Sequence, residues 1–236
     1  MRGENSQWPS KSFKLTIVRH GITDLNVANV LQGHTDSPLN SLGRRQASRL
    51  GEYFAESGIV FTAAFSSDLI RAVETVELIL EKQPRSNKPV NLQKDSALRE
   101  RYYGCYEGTK TAKFLAEAQK RGVKPEFYTP ETVEPVPKLA ERIENWFQKC
   151  FRSARENDSF LIVAHGGSIR RLFTYFYDSL KCEFPAERGR VVSIAPNTAF
   201  SIFSAKLPKD ADDKRVVMRC DALHEVRHLS GGSVAN

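Results

Sequence analysis

Two short apolar runs in this chain end in the same way, with a histidine that is followed by glycine. One run, 15–18, leads into Arg19 and His20, and the other, 160–164, leads into His165. Apolar runs without polar alternation are typical of strands that are buried on both faces of a parallel sheet. Because ligands bind at the carboxyl edge of such sheets, both histidines are predicted to lie at a ligand-binding edge.

The rest of the chain alternates between helical and strand patterns. Apolar residues at helical spacing predict a helix over 41–58, with Ser41 as its N-cap, and another over 68–82, with Ser67 as its N-cap. Further helices are predicted over 109–121, over 138–155 and from about 168, and strands over 62–65, 90–93, 191–193, 200–207 and 216–220. This alternation predicts an α/β protein.

Length and composition fit one large domain. The chain has 236 residues, of which 40% are hydrophobic and 27% charged, as is common in globular proteins with a substantial core. It has no apolar run of membrane-spanning length and no apolar secretory segment at its start, so we expect a cytoplasmic protein without a membrane partner. We expect flexible tails over 1–12 and 230–236, a domain over 13–229, and an inserted lid or subdomain around 109–137.

The formal net charge of +7 favours anionic partners. The basic residues are dispersed, and the chain shows neither a basic stripe nor a nucleic-acid reader motif, so nucleic acid is not a predicted partner. A small phosphorylated metabolite suits the charge equally well. The four cysteines form no CxxC pair and no metal-ligand spacing, which predicts reduced, packed thiols and no metal site.

Five side chains that suit phosphoryl transfer lie at four separate strand or loop ends: Arg19 with His20, Arg71, Glu100 and His165. An imidazole can act as the nucleophile while guanidinium forks hold the charged oxygens, and a carboxylic acid can protonate the leaving alkoxide. Two nearby guanidinium groups would lower the pKa of His20 and favour its neutral, nucleophilic form. Glu100 has the opposite requirement, because an acid must carry a proton.

Each of these residues has a simpler explanation when it is taken alone. Arg71 would be a solvated arginine of a first helical turn, and Glu100 a surface carboxylate in an ion pair. Only the combination favours a site. His34, His224 and His228 do not follow strands and are predicted to be surface residues.

The motifs resemble those of the histidine phosphatase superfamily, the phosphoglycerate mutase-like group. The resemblance covers about 14–200 and is carried by RHG at 19–21, Asn26, QG at 32–33, SSDLIRA around Arg71, LRERYYG around Glu100 and HGG from His165. Ile22 stands where members of the family usually carry glutamate. Within the group the chain is most similar to TIGAR-type fructose-2,6-bisphosphatases, through LRERYYGCYEG, SLKCEFPAERGRVVSIAPNT and CDALHEVRHL.

The resemblance implies a three-layer α/β/α sandwich with a mainly parallel central sheet and a site without metal or cofactor. It implies that His20 attacks phosphorus and becomes phosphohistidine, and that Arg19, Arg71 and His165 bind the transferred group. Glu100 would protonate the leaving oxygen and then activate water. The residues that match substrate-binding positions of the family are Asn26, Thr23, Gln32, Gly33, Arg101, Tyr103, Lys110 and Gly166.

The same resemblance implies a function. The leading expectation is a phosphatase for a small sugar phosphate, acting on the 2-phosphate of fructose 2,6-bisphosphate and so lowering glycolytic flux. The alternatives are a broad-specificity or bisphosphoglycerate phosphatase, a phosphoglycerate mutase, and a weakly active protein-binding scaffold. Release of phosphate to water separates the phosphatases from the mutase, and the intact set of five side chains argues against the scaffold.

Overall fold

The computed structural model describes residues 11–84, 89–207 and 215–230. Its strands are β1 (Ser12–Arg19), β2 (Ala63–Ser66), β3 (Asn91–Lys94), β4 (Ser159–Ala164), β5 (Phe200–Lys206) and β6 (Met218–Glu225). Its helices are α1 (Asp24–Val27), α2 (Ser41–Glu56), α3 (Ile70–Leu80), α4 (Thr111–Lys120), α5 (Val136–Ser153), α6 (Gly166–Asp178) and α7 (Arg188–Val191). The predicted tails lie largely outside the described residues, although β1 already begins at Ser12.

The strands form one six-stranded sheet in the order β3-β2-β4-β1-β5-β6. The first four strands in this order run parallel, and β5 and β6 are antiparallel to their neighbours. The two His-Gly strands, β1 and β4, are central neighbours, with Arg19 opposite Ala164. The residues that follow them, His20 and His165, therefore emerge side by side at the carboxyl edge.

Helices cover both faces of the sheet, which confirms the predicted three-layer sandwich. On one face α2 and α3 pack against alternate strand residues, including Leu161 and Val163. On the other face α5 and α6 pack against Phe160 and Ile162. Side chains alternate between the two faces of a strand, so the unbroken apolar run of β4 supplies both cores.

The caps of two helices differ from the prediction. Asn40, not Ser41, caps α2, because its side chain accepts a hydrogen bond from the Gly43 amide. The helix α3 begins at Ile70, whose amide donates to Asp36 Oδ1 at 2.7 Å, so the cap is supplied from the loop before α2 and not by Ser67. This contact fixes the loop over the first turn of α3.

One predicted strand, 191–193, is wrong. Val191 ends the short helix α7, and its side chain is fully buried in the core that contains α6. The two adjacent valines suggested a strand because β-branched residues are common in strands, but here Val191 packs into the core from a helical turn.

The predicted insertion around 109–137 forms a small structure of its own. It contains α4 and a hydrophobic cluster of Phe114, Ala118, Tyr128 and Val133, separate from the two main cores. An isolated bridge between Val30 and Lys110 joins it to the segment after α1. That the insertion acts as a lid stays a prediction. Across the described ranges, no helix is long and apolar enough to cross a bilayer.

Candidate active site

Two buried histidines lie side by side where β1 and β4 end. Their ring centroids are 5.1 Å apart. Nδ1 of His20 lies 2.7 Å from the carbonyl oxygen of Gly21, which can only accept, so the proton is on Nδ1 and the lone pair on Nε2. His165 has the opposite tautomer, because its Nδ1 accepts from Nε of Arg71 at 3.2 Å and its proton is therefore on Nε2. The pair offers one nucleophilic nitrogen and one N–H donor.

Burial and charge both favour the neutral form of each histidine. Desolvation is the largest cause that lowers the pKa of His20 well below its usual value, and the guanidinium groups of Arg71 and Arg19 lower it further. Burial and Arg71 likewise lower the pKa of His165. The predicted effect of the arginines on His20 is confirmed, although burial contributes more. The lone pair on Nε2 of His20 is thus available at neutral pH.

Arg71, in the first turn of α3, is 1% exposed and connects the site to a loop. Its guanidinium donates to the carbonyl oxygens of Gly33 at 2.7 Å and Thr35 at 2.9 Å, in addition to His165. Gly33 has a φ of 52°, a left-handed conformation that favours glycine. Although burial lowers the pKa of Arg71 to about 10, the side chain stays charged at neutral pH. The guanidinium N–H groups that do not take part in these bonds are available to donate to a ligand.

A cavity of about 280 Å³ opens beside His20. Its lining includes most of the residues singled out from the sequence, namely Arg19, His20, Asn26, Gln32, Gly33, Arg71, Glu100, Tyr103 and Gly166. Nε of Arg19 and Nε2 of His165 are buried donors without a hydrogen-bond partner among the described residues. Since buried donors are normally paired, two such N–H groups beside a nucleophilic nitrogen suit an anionic acceptor such as a phosphoryl group.

Both carboxylate oxygens of Glu100 are held by backbone amides. Oε1 accepts from the Arg101 amide at 2.7 Å, and Oε2 accepts from the Gly167 amide in the first turn of α6 at 2.8 Å. The carbonyl oxygen of Glu100 accepts from Nε2 of His34 at 2.8 Å and from Arg142 at 2.9 Å. The prediction that His34 is a surface residue is wrong: the side chain is half-buried. Through this hydrogen bond it supports the loop that carries the candidate acid. Arg142, on α5, was not identified from the sequence.

The contact between α6 and Glu100 allows a sharp test. A Cβ atom at Gly167 would lie 2.3 Å from Oε1 of Glu100, the end of a flexible side chain that can move away. We expect Gly167→Ala to change stability little, because the preference of helices for alanine over glycine, about 0.5–1 kcal/mol, is offset by the weakened hydrogen bonds to the displaced Glu100. Displacement of the acid should lower kcat on the order of 10²-fold. Urea unfolding and steady-state phosphate release measure the two effects.

Gly189→Ala is the matched control, since a Cβ atom there, in α7, would have none of the described residues within 4 Å. That variant should keep full activity. Full activity in Gly167→Ala as well would mean that the position of Glu100 does not limit the reaction.

Three further predicted residues form one polar cluster. The hydroxyl of Thr23 is buried and lies 3.1 Å from both Asn26 Oδ1 and Gln32 Oε1. The backbone amide of Thr23 donates to Asn26 Oδ1 at 3.1 Å, which leaves the single hydroxyl proton for Gln32 Oε1. Both amide oxygens are thus occupied, which directs the NH₂ groups of Asn26 and Gln32 elsewhere. Both side chains line the cavity, so Thr23 orients potential substrate-binding groups from behind them.

Arg101 and Lys110 lie outside the lining of this cavity. The guanidinium of Arg101 is 3% exposed and donates to the carbonyl oxygens of Glu134 and Tyr128, at 2.9 Å each. Nζ of Lys110 donates to the carbonyl oxygen of Ala28 at 2.7 Å on the surface. In this structure, therefore, both residues hold the insertion in place and do not reach the cavity beside His20.

Three further side chains contact the backbone of the loop directly after β1, residues 20–22, and were not identified from the sequence. Asn197 donates to the carbonyl oxygen of His20 at 2.9 Å, and Oγ1 of Thr75 accepts from the amide of Gly21 at 2.9 Å. Oε1 of Gln46 lies 3.4 Å from the amide of Ile22, at the position where the family usually has glutamate. Asn197 stands in a segment that carried the resemblance, but nothing in its spacing indicated this role.

All four cysteines are free thiols. Cys150, Cys182 and Cys220 are buried, as predicted, and burial raises the pKa of Cys150 and Cys220 to about 12. Cys105 is an exposed free thiol. In the part of the chain that the structure describes, no group of three or more His, Cys, Asp or Glu residues is arranged to hold a metal ion.

His224 and His228 are not surface residues, contrary to the prediction. His228 is 3% exposed, and its Nε2 lies 2.9 Å from Oγ1 of Thr198, next to Asn197. His224 is half-buried and stacks on Phe173 with 5.5 Å between ring centroids. Both lie in the C-terminal segment, whose packing against the sheet could not be inferred from local pattern.

Burial lowers the pKa of His228 to about 4, and this makes stability depend on pH. Below the unfolded pKa of about 6.5 the unfolded chain binds the proton that the folded state excludes, so the free energy of unfolding falls as pH drops towards 4. At pH 5 we expect His228 alone to lower the free energy of unfolding by about 2 kcal/mol relative to neutral pH. His228→Gln lacks this group, so between pH 7 and pH 5 its free energy of unfolding, measured with urea, should fall less than that of the wild-type protein, by about that amount. Equal losses in both proteins would contradict this assignment.

Comparisons with known proteins agree with the geometry. The family model of the histidine phosphatase superfamily (branch 1) matches residues 15–206. Fructose-2,6-bisphosphatase TIGAR from Bos taurus is 32% identical over an alignment of 266 positions, which covers 93% of this chain and 97% of that protein. The Mus musculus TIGAR is 33% identical over an alignment of 267 positions with the same coverage. A broad-specificity phosphatase from Saccharomyces cerevisiae is 34% identical over 165 residues, covering 69% of this chain and 70% of that protein.

Solved structures share the fold. Phosphoglycerate mutase from Bacillus anthracis superposes with a TM-score of 0.74 at 24% identity, covering 93% of this chain and 96% of that one. A mycobacterial glucosyl-3-phosphoglycerate phosphatase gives a TM-score of 0.71 at 25% identity, covering 91% and 99%. The predicted phosphoglycerate mutase-like architecture is confirmed.

Proposed function

The chain belongs to the histidine phosphatase superfamily, and from that premise we propose that it hydrolyses the 2-phosphate of fructose 2,6-bisphosphate through a phosphohistidine on His20. The observation that carries the proposal is the arrangement at the end of β1 and β4. There the lone pair on Nε2 of His20 adjoins two buried N–H donors, one on Arg19 and one on His165, for which the described residues provide no acceptor. That set supplies a nucleophile and a binding site for phosphoryl oxygens.

The first step transfers the phosphoryl group to the protein. Nε2 of neutral His20 attacks phosphorus, and the bond from phosphorus to the sugar oxygen breaks. Arg19, Arg71 and His165 hold the non-bridging oxygens, whose charge is spread over the transition state. Protonated Glu100 gives its proton to the leaving oxygen, so the sugar departs as an alcohol.

The second step returns the protein to its initial state. Glu100, now a carboxylate, takes a proton from a water molecule as that water attacks the phosphorus of phosphohistidine. The bond from phosphorus to nitrogen breaks, and inorganic phosphate is released. His20 regains its lone pair and Glu100 its proton, so neither step needs a metal or a cofactor as reactant.

The preference for fructose 2,6-bisphosphate rests on the two TIGAR proteins, which align with 93% of this chain. A broad-specificity phosphatase is the second candidate, because the yeast enzyme of that description reaches 34% identity over a shorter region. The two functions share the phosphoryl-binding residues and differ in how strictly the leaving group is chosen.

A phosphate-release panel tests the proposal. It compares fructose 2,6-bisphosphate, 2,3-bisphosphoglycerate, phosphoglycolate and a phosphotyrosine peptide, each with the wild-type protein and with His20→Ala to correct for contaminating phosphatases. We expect the highest kcat/KM for fructose 2,6-bisphosphate. Similar values on all four would favour the broad-specificity enzyme, and cleavage of the peptide alone would overturn the metabolic assignment. Phosphate returned to a sugar acid instead of water would indicate a mutase.

A further inference from the structure

The half-buried carboxylate of Glu107 joins two loops at the candidate active site. Oε1 accepts from the backbone amides of His34 and Tyr103, at 2.9 Å each, and Oε2 accepts from the hydroxyl of Thr35 at 3.2 Å. His34 and Thr35 belong to the loop before α2, whereas Tyr103 follows the candidate acid by three residues. Glu107 stands in the segment LRERYYGCYEG, but no role was predicted for it from the sequence.

The loop before α2 also holds Arg71. The carbonyl oxygens of Gly33 and Thr35 accept from its guanidinium at 2.7 Å and 2.9 Å. Gly33 packs directly on Glu107, because a Cβ atom at this glycine would collide with Oε1 of the carboxylate. A shift of Glu107 would therefore move the loop and, with it, the guanidinium of Arg71.

A second contact between the same two loops runs in the opposite direction. Nε2 of His34 donates to the carbonyl oxygen of Glu100 at 2.8 Å, while the backbone amide of His34 donates to Glu107. Neither loop is part of the six-stranded sheet. Since no strand ladder joins them, side-chain contacts of this kind set the distance between them.

That distance matters for the proposed chemistry. Arg71 holds oxygens on phosphorus, and Glu100 must reach the leaving oxygen, which is bonded to the same phosphorus. A misplacement of about 1 Å can lower a rate on the order of 10²-fold. A carboxylate that is hydrogen-bonded to both loops limits such displacement.

The charge of Glu107 acts on the same groups. Burial has the largest effect on the pKa of Arg71, which it lowers, and nearby carboxylates, Glu107 among them, oppose this effect. Burial also lowers the pKa of His34, against its hydrogen bond to Glu100 and the charge of Glu107. Charge and hydrogen bonding are therefore two distinct effects of Glu107, and substitutions can separate them.

We propose that Glu107 is a positioning residue that fixes the distance between Arg71 and Glu100 through the reach of its hydrogen bonds to both loops. This inference rests on the proposed phosphatase function. It adds a residue that does not line the cavity beside His20 and acts only through the groups that do.

Three variants separate reach from charge. Glu107→Gln keeps all three contacts, since its carbonyl oxygen can accept from both amides and its NH₂ group can donate to the hydroxyl of Thr35. Glu107→Asp keeps the charge, but its side chain is one methylene shorter and cannot reach both loops in their present positions. Glu107→Ala keeps neither the contacts nor the charge.

The measurement is the pre-steady-state rate of phosphohistidine formation from fructose 2,6-bisphosphate. We expect Glu107→Ala to lower this rate about 10²-fold and Glu107→Asp to lower it less, whereas Glu107→Gln should retain most of the wild-type rate. Glu131→Ala, at an exposed position of the insertion, is the matched control and should react at the wild-type rate.

A double-mutant cycle shows whether Glu107 acts through the acid. Glu100→Gln has already lost the transferable proton, so in that background Glu107→Ala should slow the same step clearly less than in the wild-type background. A role in stability alone would reduce the folded fraction and give the same fold-loss in both backgrounds. If Glu107→Ala does not fold, Glu107→Asp takes its place in the cycle with the same expectation.

Three outcomes would overturn the inference: an equal loss in both backgrounds, a loss in Glu107→Gln as large as in Glu107→Ala, or a wild-type rate in Glu107→Asp. Failure of the proposed function looks different, because the wild-type protein would then show no His20-dependent release of phosphate.

Discussion

Replacing His20 with alanine is expected to abolish phosphate release from every substrate. The imidazole at the end of β1 carries its lone pair on Nε2, and in the proposed mechanism that nitrogen forms the covalent intermediate. Removal of a covalent nucleophile costs rate on the order of 10⁶-fold where the catalytic groups act as a unit. Steady-state release of inorganic phosphate measures the loss.

The covalent step can also be observed directly. Brief exposure of the wild-type protein to substrate labelled in the transferred phosphate should leave an acid-labile label on the chain, and His20→Ala should leave none. His224→Ala is the matched control, because His224 is half-buried against Phe173 and does not line the cavity. Substantial hydrolysis by folded His20→Ala protein would refute the phosphohistidine route.

Replacing Glu100 with glutamine is the second large effect, with an expected fall in kcat of about 10²–10⁴-fold. Glutamine has nearly the same shape but cannot deliver a proton to the leaving oxygen or accept one from water. Its NH₂ group cannot accept a hydrogen bond, so glutamine loses the bond from either the Arg101 or the Gly167 amide, and a modest loss of stability should accompany the kinetic change.

The leaving group separates the chemical role of Glu100 from a structural one. p-Nitrophenolate leaves without protonation, so Glu100→Gln should slow formation of phosphohistidine from p-nitrophenyl phosphate much less than from a sugar phosphate, as pre-steady-state kinetics would show. Glu131→Gln, at an exposed position of the insertion, serves as control and should have no effect. Equal losses on both leaving groups would mean that Glu100 acts through structure and not through proton transfer.

The sequence was most informative about the residues that follow strands. Neighbouring parallel strands bring their carboxyl ends together, so the apolar runs before His20 and His165 were enough to place both histidines at one edge. The motif resemblance added Arg71 and Glu100, which lie on a helix and a loop whose approach to that edge no local pattern specifies. Together these arguments predicted the architecture and most of the residues that line the cavity beside His20.

Contacts made by distant loops were beyond such reasoning. His34 and His228 were predicted to be surface residues, but His34 is half-buried and His228 is buried. Each forms a hydrogen bond across the fold, to the carbonyl oxygen of Glu100 and to Thr198. Asp36 caps α3 across a gap of 34 residues, a role that local spacing assigned to Ser67. Burial and hydrogen-bond partners of this kind depend on tertiary packing, which short-range periodicity does not encode.

The two ends of Arg101 serve different parts of the molecule. Its backbone amide holds Glu100, whereas its guanidinium grips the chain around Tyr128 and Glu134. A shift of that outer segment would therefore reach the candidate acid over a single residue, while the two histidines stay anchored to the central strands. We expect sequence changes in the periphery to alter which leaving group is accepted without disturbing the proposed nucleophile.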